Sequence, residues 1–64
     1  MASFTPDVKD ALRQHGCSFD RQGKGDHEIW WSPLTGHKFP VDNKILSRHT
    51  ANEIMKQAGI PKRF

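Results

Sequence analysis

A single cysteine in a chain of only 64 residues is the tightest constraint on what this sequence can become. Cys17 has no partner for an internal disulfide, and one thiol excludes the spacings of zinc fingers and zinc ribbons. A domain this small buries only about 60% of its unfolded surface. The fold must therefore rest on one thin apolar core. A disulfide-stapled secreted scaffold is excluded, and a reducing cytoplasm is the expected setting. Residues 1–64 make one small domain, too short for a TIM barrel or a doubly wound sheet with its own cofactor. No apolar run approaches the roughly 20 residues of a membrane span. The opening Met1-Ala2-Ser3-Phe4 carries no basic-then-apolar targeting pattern. Ten Lys+Arg against seven Asp+Glu give a net charge of +3, which permits an anionic partner without requiring one.

The hydrophobic pattern predicts helix, three strands, helix. Thr5 suits an N-cap, Pro6 the first helical position and Asp7 the positive end of the dipole. Val8, Ala11 and Leu12 form an apolar stripe, and Gly16 is a natural stop. A helix is expected from about Pro6 to His15. The period then changes to two: Cys17 and Phe19 alternate with Ser18 and Asp20 in a strand ending near Gln22. Gly23-Lys24-Gly25 is a turn, and His27–Trp31 is a second strand rich in β-favouring residues. Pro33-Leu34-Thr35-Gly36 is another turn, leading into a strand over Lys38–Val41. Pro40 cannot donate to a ladder, so this strand belongs at an edge or turns Pro40 away from its neighbour. Short connections make the meander antiparallel. Asp42 to Leu46 reads as a loop. The last helix starts at Ser47 or at Thr50, where Thr50-Ala51-Asn52-Glu53 matches a capping box. Ala51, Ile54, Met55 and Ala58 form its apolar stripe, and Gly59, Ile60 and Pro61 end it. The tail Lys62-Arg63-Phe64 is expected to be loose. The fold class is α+β, with two helices on one face of a three-stranded antiparallel sheet. The other face is left open to a partner.

Few residues offer chemistry. His15, His27, His37 and His49 match no metal-ligand spacing, so no metal site is expected. No Ser-His-Asp arrangement or carboxylate pair is suggested. Gly23-Lys24-Gly25 is too short for a nucleotide phosphate loop and precedes a strand. What remains is Arg21-Gln22-Gly23-Lys24-Gly25-Asp26-His27, a tight basic turn that delivers a histidine to the start of a strand. Free amides and Lys24 suit a phosphate, and a histidine can move a proton near neutral pH. A plain β-turn with a surface histidine fits the same spacing. Trp30 and Trp31 are adjacent in a strand and point to opposite faces. One is core; the other is a surface aromatic able to stack on a base or anchor a partner.

Taken in order, Gly16, the stretch Arg21 to Trp30, Phe39-Pro40-Val41 and Ile54-Met55-Lys56-Gln57-Ala58-Gly59-Ile60 resemble the HicA toxin family. Its members are mRNA interferases of HicAB toxin–antitoxin systems. The resemblance runs from about Val8 to Ile60. It implies a double-stranded-RNA-binding-like fold, metal-independent endoribonuclease activity on mRNA without a cofactor, and a HicB-type antitoxin that covers the active histidine. Matched residue by residue, Gly25 stands at the family's glycine and His27 at its catalytic histidine. Asp26 stands where a serine is usual, and Asp42 where many relatives carry a histidine. An acid at position 26 attracts a protonated ring and repels phosphate, so it could orient His27 or weaken RNA binding. Arg21, Lys24, Gly25, Lys38 and Arg48 are the expected RNA contacts. The alternative reading is a non-catalytic module that binds RNA or the antitoxin; a purely structural interaction domain is a third.

Overall fold

The computed structural model describes residues 3–64; Met1 and Ala2, half of the tetrapeptide read for a targeting pattern, lie outside the described residues. The elements are α1 (Thr5–Gln14), β1 (Ser18–Gln22), β2 (His27–Trp31), β3 (Lys38–Asp42) and α2 (Arg48–Ala58). The sheet is antiparallel in the order β1-β2-β3. This is the expected helix–strand–strand–strand–helix arrangement, and it fits a double-stranded-RNA-binding-like fold. No helix among the described residues is long and apolar enough to cross a membrane.

Both helices end in the same way. After α1 the N–H of Gly16 donates to the Arg13 carbonyl and that of Cys17 to the Leu12 carbonyl. After α2, Gly59 donates to Lys56 and Ile60 to Met55. In each case a glycine in the left-handed region (φ 85° and 76°) reverses the chain, and an apolar residue beyond it, Cys17 or Ile60, enters the core. The start of α1 departs from expectation. Thr5 is already helical, and its hydroxyl caps nothing in its own helix. It donates to the Asn43 carbonyl and accepts the Ile45 N–H, tying α1 to the loop after β3. At α2, Ser47 is the cap, accepting the Thr50 N–H at 3.1 Å, so the Thr50 capping box does not form.

The core takes Val8, Ala11 and Leu12 from α1, Ala51, Ile54, Met55 and Ala58 from α2, and Trp30, Phe39 and Val41 from one sheet face. Ile45, expected only as a loop residue, is fully buried among them. Phe19 departs from its expected inward position. It shares the helix-covered face with its cross-strand partner Trp30, but β1 is an outer strand, and Phe19 lines an open cleft with Lys9 and Arg13 of α1 and stays 52% exposed. Cys17 is buried but lies just before β1. Asp42 belongs to β3 rather than to the loop. The tail is held rather than loose: Asn52 accepts the Phe64 N–H at 2.7 Å, and the Phe64 ring packs edge-on against Phe4.

Candidate active site

The hairpin between β1 and β2 is built to present His27. The Gly23 N–H donates to the His27 carbonyl, and the His27 N–H closes a turn onto the Lys24 carbonyl. Inside that turn Gly25 has φ 57°, a conformation that a side chain resists. A Cβ at Gly25 would meet nothing within 4 Å, so the space above the turn stays open. Gln22 braces the loop by donating its amide to the carbonyls of Gly25 and His27. The backbone of His27 is thus held on both sides while its side chain is exposed. Of the four histidines, only His15 has a ring hydrogen bond among the described residues, from Nδ1 to the Ala11 carbonyl at 2.9 Å.

The register decides what surrounds the ring. His27 pairs with Asp42, Ile29 with Pro40 and Trp31 with Lys38. These six side chains share the face turned away from the core, because the alternate residues Trp30, Phe39 and Val41 point into it. The Ser32 N–H donates to His37 and the Asn43 N–H to Asp26. Hydrogen-bonded pairs therefore fall at 28/41 and 30/39, and His27–Asp42 and Ile29–Pro40 are the non-hydrogen-bonded kind. The missing N–H of Pro40 consequently lies on the free edge of β3, as an outer strand allows. His27, Pro40 and Asp42 also line a groove of about 200 Å³ with Thr50, Glu53, Ile54 and Gln57 of α2.

The expected phosphate ligands are only partly gathered. Lys24 and Gly25 flank His27 in the turn. Arg21 reaches the open face through an irregularity in β1: Phe19 pairs with Trp30 but Arg21 with Ile29, leaving Asp20 as the extra residue of a bulge. Lys38 lies at the far end of the sheet, opposite Trp31, about 13 Å along the strands from His27. The structure does not bring Lys38 to the histidine. Arg21 and Lys38 both pair with the Asp20 carboxylate, at 3.0 and 3.5 Å. Arg48 opens α2 and is exposed; its helix, rather than its own side chain, supplies the wall of the His27 groove. Asp26 does not orient His27. Its carboxylate faces Lys44 at 3.9 Å, and its carbonyl accepts from Asn43.

Trp30 is buried at 3% exposure, whereas Trp31 is 38% exposed on the open face. One polar cluster has no counterpart in the sequence reading. Glu28 accepts the Trp30 indole N–H at 2.9 Å and pairs with Lys9 at 3.2 Å, while Lys9 donates to Asn43. The indole hydrogen bond, with Lys9 second, holds the Glu28 carboxyl below its ordinary range against the opposing effect of burial. This cluster joins α1 to β2 under the sheet, away from the ring of His27. Among the described residues, no three His, Cys, Asp or Glu side chains come together as a metal site.

Residues 6–60 match the family model described as the HicA toxin of bacterial toxin–antitoxin systems. No curated protein and no solved structure matches the chain.

Proposed function

The chain belongs to the HicA toxin family, the toxin half of a toxin–antitoxin system, and on that premise we propose that it is a metal-independent endoribonuclease acting on mRNA. It acts as a single domain over residues 1–64. The observation that carries the reading is His27 itself: an exposed imidazole, fixed through its backbone, beside an open basic turn. His27 takes the proton of a ribose 2′-hydroxyl. The 2′-oxygen attacks phosphorus, the P–O5′ bond breaks, and the 5′-oxygen leaves as a hydroxyl after receiving a proton from imidazolium or water. The products are a 2′,3′-cyclic phosphate and a 5′-hydroxyl. Lys24 and the amides around Gly25 hold the phosphate, with Arg21 behind them. Lys38 and Arg48 contact the RNA strand farther out. One acid–base group contributes typically 10²–10⁴-fold, so the enzyme is a modest one. Phosphate contacts carry no base information, so cleavage is weakly sequence-specific. Its antitoxin, of the HicB type, covers His27 and the open face that displays Trp31.

The competing reading is a binding module without nuclease activity. It draws support from Asp20, which engages two of the expected phosphate ligands, Arg21 and Lys38. A defined single-stranded RNA and its all-2′-deoxy counterpart, each incubated with the protein in EDTA, separate the two. The nuclease reading expects RNA cleavage with 2′,3′-cyclic ends and an intact deoxy strand. RNA that is bound but uncut would favour the module, and cleavage of the deoxy strand would exclude the 2′-hydroxyl as nucleophile.

A further inference from the structure

We propose that Asp42 is the positioning residue of His27, a role that rests on the nuclease reading above. The two residues are direct cross-strand partners on the open face. Opposite side chains in an antiparallel pair have Cβ atoms about 4.5–5.5 Å apart, closest in the non-hydrogen-bonded kind that His27 and Asp42 form. The His27 ring makes no hydrogen bond among the described residues; its side chain is exposed, and rotation of the ring lets the carboxylate and the imidazole bridge that gap with one hydrogen bond. Asp42 has an oxygen to spare: Oδ1 accepts the Lys44 N–H at 2.9 Å, and among the described residues no Lys, Arg or His, His27 included, lies within ion-pair distance of the carboxylate, so the second oxygen is available to a rotated ring. Both residues line the same groove, so the contact would form beside the ring that the nuclease reading gives to the substrate.

The other acids near the ring are less suited. Asp26 is its neighbour in sequence but is turned to Lys44. Glu53 lies across the groove on α2. Asp20 is committed to Arg21 and Lys38. Asp42 is the acid that the strand register itself sets opposite the histidine.

A carboxylate acting on one ring nitrogen keeps the proton there in the neutral ring. The second nitrogen is left as the acceptor for the 2′-hydroxyl. When that proton is taken up, the same carboxylate steadies the imidazolium. Asp42 touches neither phosphate nor ribose in this arrangement; it acts through His27.

Nitrogen NMR of the His27 ring in the free protein, compared between wild type and Asp42→Asn, tests the pairing without RNA. The substituted side chain keeps an oxygen to accept the Lys44 N–H, so the loop is retained, but its NH₂ group cannot accept the ring proton. One dominant neutral tautomer in wild type, lost or reversed in the variant, is expected. Cleavage should show kcat lowered on the order of 10–100-fold, the range seen when a carboxylate that orients a histidine is lost, with KM little changed. The same tautomer ratio in both proteins, or an unchanged kcat in an active nuclease, would overturn the proposal. An Asp42-dependent tautomer in a protein that leaves RNA uncut would support the pairing and overturn the nuclease reading instead.

Discussion

Ser32 is the fully buried polar side chain among the described residues, and its hydroxyl works in both directions. It donates to the Ala58 carbonyl at 2.6 Å and accepts the Leu34 N–H at 3.2 Å, so one oxygen joins the β2–β3 turn to the end of α2. Ser32→Ala should cost about 1–3 kcal/mol by leaving those backbone groups without a partner, read as a lower urea midpoint with an unchanged slope. Nothing in the run Trp31-Ser32-Pro33 announces that role, because the partner is 26 residues away. The same limit applies at the site. His27, Lys24 and Gly25 are legible in the sequence because they are neighbours in one turn. Asp42 reads there as a loop residue, because its relation to His27 exists only once β2 and β3 are in register. Asp26 is next to His27 in sequence, yet it is Asp42 that the register sets opposite the ring.

The helix ends show which local signals survive folding. Gly16 and Gly59 are legible as stops, and the structure adds a second demand at Gly59. A Cβ there would lie 2.9 Å from Thr35 Cγ2 and 3.3 Å from Leu34 Cβ, since the end of α2 abuts the β2–β3 turn. At Gly25 the backbone is also left-handed, but a Cβ would meet open space. Gly25→Ala should therefore cost about 1 kcal/mol, for conformation alone. Gly59→Ala should cost more than Gly25→Ala, because Thr35 must also move. Urea titrations of the two variants give the comparison, and equal costs would mean that the turn yields freely. Strand periods and turn residues are readable in the same way. The bulge at Asp20 is not, because an extra residue in a strand changes register without changing composition. It undoes the simple alternation in β1 and brings Arg21 to the same face as His27.

For the whole molecule, two helices and one sheet face make the core, and the Lys9–Glu28–Trp30 cluster fastens α1 to the sheet at its rim. The Glu28 side chain keeps 17% of its exposure, so its partners are only partly shared with water. Its folded pKa lies below the unfolded value near 4.5. The stability it contributes is present above that value and is lost as pH falls through the folded pKa. Glu28→Gln should lower stability at pH 7 by about 1.5–3 kcal/mol, the range for hydrogen bonds to a charged group. The difference from wild type should shrink on acidification below pH 4.5, followed by thermal melts across pH. The opposite face carries His27, Trp31 and Pro40 exposed and Ile29 and Asp42 half-buried, and it is the surface that the proposed function gives to RNA and to the antitoxin. The architecture is legible because helical and strand periods alternate cleanly along the chain; the charge pairing on the open face is not, because it depends on which strands are neighbours. The central claim is that His27 performs the chemistry. Single-turnover cleavage of one defined RNA in EDTA by wild type and by His27→Ala, with both shown folded by circular dichroism, tests it most directly. The account predicts cyclic-phosphate products from wild type and a rate lower by about 10²-fold or more in the variant. Equal cleavage by the two proteins would contradict it.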